Sequence, residues 1–205
     1  MTTPGTLYII AAASGTGKTS LAKALSESMA NIKISVSHTT RPLRANEEEN
    51  VSYFYVDEGS FVDMIEQDSF LEYAKVFDYY YGTSGVFVRE QLQQGFDVIL
   101  DIDWQGAQQV RQKMPECVSI FLLPPSLDVL RKRLENRKRD TQEIIEKRLV
   151  LAGNEVSHYN EFDYLVINDD FDTALQDLQA IVRTHRLQRK VQELKHTALL
   201  RELVH

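Results

Sequence analysis

The sequence predicts an α/β fold built on a doubly wound parallel sheet. Short apolar segments alternate with amphipathic helical patterns over most of the 205 residues, and a glycine-rich turn joins the first strand to the first helix. Strands that alternate with helices form parallel sheets through right-handed crossovers, with helices on both faces. Positions 39–95 break this alternation with aromatic strand fragments, so we expect an inserted α+β subdomain there.

The individual elements follow from periodicity and from helix-start signals. Buried apolar runs predict core strands at 6–11, 34–38, 96–103, 118–123 and 164–168. Helical spacing predicts helices at 18–29, 105–113, 126–138, 140–156 and 171–193. Inside the insertion, strand fragments are expected at 53–56 and 79–81 and a short helix at 60–67. We therefore expect a single domain whose core comprises 1–38 and 96–205.

Composition and charge restrict the classes of partner. The chain is 43% hydrophobic, enough to bury a core, and carries a formal net charge of -7. Nucleic acids and membrane surfaces are themselves negative, so neither is an expected partner. The single cysteine, Cys117, excludes an intramolecular disulfide, and no run approaches the roughly 20 apolar residues of a membrane span. We expect a cytoplasmic protein, leave a homo-oligomer open, and treat His38, Trp104 and Cys117 as packing residues.

The turn after the first strand matches a phosphate-binding loop. It reads Ala12-Ala13-Ser14-Gly15-Thr16-Gly17-Lys18-Thr19, the pattern G-x-x-x-x-G-K-[ST] with Ala12 in place of the first glycine. Glycines let successive backbone N–H groups converge on phosphate oxygens, and the helix N-terminus adds partial positive charge. Lys18 is then expected to reach the β- and γ-phosphates, and the Thr19 hydroxyl to ligate Mg²⁺. The alternative is a tight turn with an exposed lysine, but the flanking strand and helix favour the phosphate loop.

A second anion site is predicted just after the second strand. The polar segment there contains Ser37, Arg41, Arg44, Glu47 and Tyr53. Guanidinium groups pair with phosphate oxygens bidentately, and hydroxyl groups add single hydrogen bonds. A solvated charged loop is the alternative, and it is the preferred interpretation of Arg44 and Glu47 taken alone. A phosphate loop by itself also fits a GTPase, an ATPase motor or an inactive scaffold, whereas two anion sites favour a nucleotide kinase.

Six motifs in the same order make the sequence resemble the guanylate kinase family over nearly its whole length. They are SGTGK at 14–18, VSHTTR at 36–41, FLE at 70–72, YYGT at 80–83, DIDWQG at 101–106 and INDD at 167–170. The resemblance implies the phosphate-loop kinase type of fold and ATP-dependent phosphorylation of GMP, and with it dGMP, to GDP. It also implies that 39–95 is the GMP-binding insertion and that about 136–157 is a helical lid.

The same resemblance assigns roles to individual residues. The GMP site is expected to contain Ser37, Arg41, Arg44, Glu47, Tyr53 and Tyr81 around the phosphate, and Glu72, Thr83 and Asp101 around the guanine. The catalytic residues are expected to be Lys18, Arg133, Arg137 and Arg148. Mg²⁺ is expected on Thr19, with Asp101 and Asp103 reaching the ion through water. A helix N-cap is the alternative role for Asp103.

The chain also departs from the family pattern. Asn46 stands where the family has glycine, and Asn136 and Lys138 replace the two glycines at the start of the lid. Asn tolerates positive φ, which limits the effect of Asn46. The two changes at the start of the lid bear on its freedom and not on its chemistry. Two other functions stay open: a monophosphate kinase for another base, and a scaffold that binds phosphorylated peptides through the GMP site. Lys18, Thr19 and the lid arginines favour catalysis, since a scaffold has no need of them.

Overall fold

The computed structural model describes residues 3–44, 47–76, 78–136 and 142–204. The strands are β1 (Leu7–Ala12), β2 (Ile32–Ile34), β3 (His38–Thr39), β4 (Phe54–Tyr55), β5 (Phe70–Val76), β6 (Tyr79–Ser84), β7 (Asp97–Asp101), β8 (Val118–Leu123) and β9 (Tyr164–Ile167). The helices are α1 (Lys18–Ser28), α2 (Glu58–Glu66), α3 (Gly85–Gln93), α4 (Trp104–Lys113), α5 (Leu127–Asn136), α6 (Gln142–Ser157), α7 (Phe171–Arg186), α8 (Arg189–Lys195) and α9 (Thr197–Val204). Within the described ranges, no helix is long and apolar enough to cross a membrane.

A five-stranded parallel sheet forms the core, in the order β2-β7-β1-β8-β9. β1 is the central strand: Ile9 pairs with Leu100 of β7 on one side and with Ser119 of β8 on the other. The chain first builds the side of β1 that holds β2 and β7, and later the side that holds β8 and β9. The carboxyl end of β1 therefore lies at the switch point, where open α/β sheets bind their ligands. The predicted doubly wound parallel sheet is confirmed.

Alternating side chains of β1 face two different helical layers. Tyr8 and Ile10 are buried in a cluster with apolar residues of α1 and α7. Leu7 and Ile9 are buried in a second cluster with residues of α3 and α4. Both faces of the sheet are covered in this way, which explains why the core strands are apolar runs without the alternation of a half-exposed strand.

The insertion carries a second, smaller sheet in the order β4-β3-β6-β5. β5 and β6 are antiparallel, and their register sets Glu72 opposite Thr83. Helix α2 packs on this sheet through Phe61, whose ring stacks on Phe70 and Tyr80 with centroid distances of 4.5 and 5.3 Å. The aromatic residues of the insertion thus form its core and hold the hairpin that carries Glu72.

The predicted second strand is wrong in position. The core strand β2 is Ile32–Ile34 instead of 34–38, and His38 belongs to the second sheet. The chain passes between the sheets at Ser35 and Ser37. The Ser35 N–H donates to the core carbonyl of Ile99, and the Ser37 carbonyl accepts from Phe54 of the insertion, both at 2.9 Å. The segment predicted as one strand is therefore divided between two sheets, because the core sheet binds the backbone at Ser35 and the insertion binds it at Ser37.

The helix predicted at 171–193 is also wrong in length, since α7 ends at Arg186. The Arg186 guanidinium donates to Asp97 and to the carbonyl of Ala30, both at 2.8 Å. The Gln192 side chain donates back to the Arg186 carbonyl at 2.8 Å, and Gln188 breaks the helix with a ψ of 139°. Tertiary hydrogen bonds therefore end this helix at a position where the sequence carries no stop signal. The helix predicted at 126–138 is α5, and Lys138 lies outside the described residues.

Neither β5 nor α3 was predicted from the sequence. In β5 the buried side of the strand contains the carboxylate of Glu72, so the apolar alternation that identifies a strand is interrupted. Helix α3 begins at Gly85 with Ser84 as its N-cap, whose side chain accepts from the Phe87 N–H at 3.4 Å. A helix of nine residues that starts with glycine gives a weak pattern.

Asp97 supplies the first prediction, which concerns stability. Its carboxylate accepts from the Thr6 N–H at 2.7 Å and from Arg186 at 2.8 Å, and its side chain is 7% exposed. We expect D97A to lower the free energy of unfolding by about 3 kcal/mol, because a partly buried N–H and a guanidinium lose a charged acceptor. Urea unfolding followed by circular dichroism measures this change.

E116Q is the matched control at the same end of the sheet. Glu116 pairs with Lys190 at 3.4 Å, but both side chains are exposed. We expect this change to cost less than about 0.5 kcal/mol. Equal losses in the two variants would contradict the role assigned to the buried pair.

Candidate active site

The phosphate loop has the backbone conformation that its glycines permit. Gly15 and Gly17 adopt positive φ angles of 95° and 101°, which L side chains rarely occupy. Helix α1 begins at Lys18, and Gly17 caps it without a side-chain hydrogen bond. The first N–H groups of α1 are therefore left for an external acceptor, as an anion site at a helix start requires.

Asn168, the residue just after β9, holds the phosphate loop in place through a hydrogen bond to its backbone. Its amide Nδ2 donates to the Thr16 carbonyl at 2.6 Å, and both residues are buried. A Cβ added to Gly17 would lie 2.7 Å from the same Nδ2, so the close approach of Asn168 requires glycine at this position. This contact joins residues 152 positions apart, and the sequence analysis gave Asn168 no role.

Lys18 points across the end of the sheet. Its ammonium group lies 2.7 Å from an Asp101 carboxylate oxygen and donates to the Ile102 carbonyl at 2.7 Å. The loop and the start of α1, including Thr19, line a cleft of about 300 Å³. Asp103 and Glu155 complete its lining. Asp101 is thus paired with the loop lysine, while its expected place beside the guanine stays a prediction.

Asp103 has the structural role that the sequence analysis gave as its alternative. Its carboxylate caps α4 by accepting from the Gly106 N–H at 2.8 Å. It also lines the phosphate-loop cleft, so the same carboxylate is within the region where a metal-bound water is expected.

The expected catalytic arginines are only partly brought to the loop. The Arg133 guanidinium donates to the Thr16 carbonyl at 3.4 Å and to the Asp169 carbonyl at 3.3 Å, beside the cleft. Arg148 lies on α6, and Arg137 lies outside the described residues. Arg131, also on α5, pairs with Glu146 of α6 and so joins the two helices.

A buried carboxyl group marks the predicted guanine site. Glu72 is 7% exposed and accepts from the Thr83 hydroxyl at 2.5 Å, and Ser37 lies 3.4 Å from the same hydroxyl. Burial raises the pKa of the Glu72 carboxyl from 4.5 to about 7, and the negative charge of Asp103 adds to this increase. The hydrogen bond from Thr83 and the positive charge of Lys18 lower the pKa, but they offset the increase only in part. A carboxyl group held this far from water is typical of a binding or catalytic site.

The predicted phosphate site is organised around Arg41. The guanidinium is 6% exposed and donates to both carboxylate oxygens of Glu47, at 2.7 and 2.9 Å. It also lies 5.6 Å from the ring centre of Tyr53, which packs edge-on against Tyr81 at 5.9 Å. Arg41, Tyr53 and Tyr81 are therefore brought together, whereas the Ser37 side chain contacts Thr83. Their role in binding a phosphate stays a prediction.

Glu47 binds the arginine instead of facing outward. Besides Arg41, it accepts from the Tyr55 hydroxyl at 2.8 Å and from the Arg44 N–H at 3.1 Å. The hydrogen bond from Arg41 is the main cause that lowers the pKa of the Glu47 carboxyl to about 2. The Arg44 side chain is exposed, and the neighbouring Asn46 lies outside the described residues.

Two of the three expected packing residues have more specific contacts. Trp104 stacks on His158 with a centroid distance of 3.5 Å and an interplanar angle of 9°, at the end of α6. His38 packs between Phe54 and Phe70 in the insertion, and burial lowers its pKa. Trp104 therefore connects the start of α4 to the C-terminal end of α6, and no local sequence pattern indicates this contact.

These features define a class of protein. A parallel sheet with a glycine-rich loop and a lysine at its switch point, facing an inserted sheet with a buried arginine and carboxyl group, is the architecture of a phosphate-loop nucleotide kinase.

Comparison with known proteins identifies the family. A model of the guanylate kinase family matches residues 4–185. A guanylate kinase of Legionella pneumophila is 52% identical over 96% of this chain and 94% of its own length. A guanylate kinase of Coxiella burnetii is 54% identical over 97% and 96% of the two chains. The crystal structure of guanylate kinase from Anaplasma phagocytophilum superposes with a TM-score of 0.73 at 30% identity, over 94% and 95% of the two chains. The chain belongs to the guanylate kinase family.

The raised pKa of Glu72 gives a prediction about stability and pH. Between pH 4.5 and about 7 the folded protein holds a proton on Glu72 that the unfolded chain releases. Stability therefore falls as pH rises through this window, by up to about 3 kcal/mol from this group. In E72Q that contribution is absent, so the difference in unfolding free energy between wild type and E72Q should change across the window.

Urea unfolding at several pH values between 4 and 8 tests this prediction. The comparison with E72Q removes the contribution of every other titrating group. A difference that stays constant over the whole range would show that Glu72 titrates normally.

Proposed function

We propose that this chain phosphorylates GMP, using ATP, through the two sites described above. Membership of the family supports the reaction. One observation supports the assignment of the sites: the buried Glu72–Thr83 pair lies beside α4, and α4 comes just after Asp101, the residue at the end of β7 that pairs with Lys18. An added Cβ at Gly106 in α4 would lie only 3.1 Å from Glu72. This contact supports a pocket for the base next to the end of β7, the strand whose Asp101 pairs with Lys18 of the phosphate loop.

On the donor side, the loop 12–19 is the proposed site for the phosphates of ATP. Its N–H groups and the start of α1 supply hydrogen bonds and partial positive charge. Lys18 would then exchange its partner Asp101 for phosphate oxygens. Arg133, already beside the Thr16 carbonyl, would contact the transferring group, together with Arg148 and Arg137 from the proposed lid.

On the acceptor side, Arg41 and its neighbours are the proposed site for the phosphate of GMP. Glu47 holds the guanidinium in place through two hydrogen bonds. The hydroxyl groups of Ser37, Tyr53 and Tyr81 offer single hydrogen bonds to the remaining oxygens, and Arg44 supplies a further charge at the surface.

Glu72 and Thr83 supply the proposed selectivity for guanine. Guanine has donors at N1–H and the 2-amino group beside an acceptor at O6, which suits an ionised carboxylate and a hydroxyl. Adenine has a bare N1 lone pair and no 2-amino group, so the carboxylate would be left unpaired. Sites that hydrogen-bond a substrate in this way reject a mismatched analogue by on the order of 10⁴.

Mg²⁺ is the proposed companion of ATP. The oxygen donors present suit a hard cation that keeps several waters: the Thr19 hydroxyl at the start of α1 and the carboxylates of Asp101 and Asp103. Thr19 would hold it on the ATP phosphates, and the two carboxylates would act through water. When bound, the ion neutralises phosphate charge. Among the described residues, no group of three or more His, Cys, Asp or Glu side chains is placed to hold a metal.

The chemistry then follows from charge. The attacking oxygen belongs to a phosphate that is already ionised at neutral pH, so no general base is required. The protein aligns two anionic groups and neutralises their repulsion with Lys18 and the arginines. Closure of the proposed lid would exclude water and so limit hydrolysis of ATP. The dependence on ATP and the single cysteine support a cytoplasmic location.

Removal of Lys18 tests the catalytic assignment. Purified wild type and K18M are mixed with ATP, Mg²⁺ and each of GMP, dGMP, AMP, CMP and UMP, and ADP formation is measured. We expect turnover with GMP and dGMP, and a loss of at least about 100-fold in K18M, because one charge aimed at the transferring phosphates is removed. Thermal unfolding confirms that K18M is folded. Normal turnover in folded K18M would contradict the assignment of the loop, and a preference for another monophosphate would contradict the acceptor.

A substitution at Glu72 tests the guanine pocket. E72Q keeps the size of the side chain but replaces one acceptor with a donor. A hydrogen bond to a charged group contributes about 1.5–3 kcal/mol, so we expect kcat/KM for GMP to fall by roughly tenfold or more while that for AMP stays low. The ratio of kcat/KM for GMP to that for AMP is the measurement. The same ratio in wild type and E72Q would remove Glu72 from the pocket.

A further inference from the structure

Glu155 makes a contact that the proposed reaction does not use. Its carboxylate accepts from the Ser14 N–H at 3.0 Å, and it lines the phosphate-loop cleft with the loop itself. Backbone N–H groups of such a loop are the donors that bind phosphate oxygens. A carboxylate from α6 thus occupies one of the positions that a phosphate group requires.

Glu155 is held in this position by packing on one side. Ala152, three residues earlier and on the same face of α6, is buried in a cluster with Ala13 of the loop and with Leu130 and Leu134 of α5. The loop and α6 therefore form one packed unit immediately before the carboxylate. The contact from Glu155 to Ser14 continues that packing into the cleft.

The other side is fixed just after the end of α6. His158, three residues later, stacks on Trp104 and lies 2.6 Å from Glu161. Glu161 in turn accepts from Gln108 and Arg111 of α4, both at 2.9 Å. Because both flanks of Glu155 are anchored, the carboxylate is placed on the loop by the fold and not by the chance position of a long exposed side chain.

Two other groups that are proposed to bind phosphate also contact a carboxylate. Lys18 is paired with Asp101 at 2.7 Å, and Arg41 with Glu47 at 2.7 Å. Two of the cations proposed to bind phosphate therefore have a carboxylate partner within the chain, as the Ser14 N–H has in Glu155. Glu155 differs from the other two because it comes from α6, within the proposed lid.

We propose that Glu155 is an internal competitor for the phosphate loop: the phosphates of ATP displace its carboxylate from Ser14, and it returns when ADP leaves. This inference rests on the proposed function, which makes the loop the ATP site. It gives the Glu155 side chain two positions, one with its carboxylate on the Ser14 N–H and one in which phosphate has displaced it. Nucleotide affinity is then lowered by the fraction of molecules in which the carboxylate holds the loop.

Calorimetric titration of inorganic tripolyphosphate into the full-length protein tests the proposal without turnover. E155Q keeps the shape of the side chain and removes its charge, and E155A removes the acceptor as well. We expect tripolyphosphate to bind about fivefold tighter to E155Q and about tenfold tighter to E155A than to wild type, since a charged competitor for the site is weakened and then removed. Inhibition by ADP should strengthen in the same order.

E143Q is the matched control, because it removes one negative charge from the first turn of the same helix. Glu143 is exposed and pairs with Lys147, so the affinity for tripolyphosphate should stay at the wild-type value. Unchanged or weaker binding in E155Q and E155A would overturn the proposal, as would an equal gain in E143Q. If wild type binds tripolyphosphate but forms no ADP with GMP, the proposed function fails while the competition result still stands.

Discussion

The position of β1 between two parallel neighbours is the constraint on which the site depends. Its pairing with β7 and β8 sets the carboxyl ends of these strands side by side. Asp101 at the end of β7 therefore meets Lys18 just after β1, and Asn168 after β9 reaches the loop from the far side. Residues from three distant parts of the chain are in this way placed within hydrogen-bond distance of one turn.

The loop itself is stabilised by contacts that leave its N–H groups available. Asn168 donates to the Thr16 carbonyl, and Ala13 packs against α5 and α6. Neither contact uses a backbone N–H group of the loop. Gly15 and Gly17, whose positive φ angles only glycine adopts readily, are consequently held by groups that do not compete for an anion.

Among its described residues, the insertion buries two ionisable side chains, Arg41 and Glu72, around a sheet of only four strands. Phe61, Phe70 and Tyr80 stack to form its core. Around that core the sheet holds a carboxyl group with a raised pKa at Glu72 and an arginine paired with Glu47. Burial of such groups costs desolvation free energy even when they are paired, so their presence fits the proposed ligand site better than a purely stabilising role.

The sequence by itself determined the sheet type and the glycine-rich loop, and it predicted which residues belong to the two proposed sites. Those features are encoded locally: the apolar runs, the spacing of Gly15, Gly17 and Lys18, and the motif around Arg41 all lie within short segments. The positions of β2 and the end of α7 were wrong because tertiary hydrogen bonds at Ser35 and Arg186 fix them. β5 was missed because a buried carboxyl group interrupts its pattern.

Only the tertiary structure decided which charged groups are partners. Asn168 and Glu155 contact the loop across 152 and 141 residues, and no local spacing links such positions. The pairing of Lys18 with Asp101, and the pKa of Glu72, likewise depend on burial and on neighbours from other elements. A sequence records the chemical type of each side chain, but the distance between two charges is set by the folded backbone, and electrostatic energy depends on that distance.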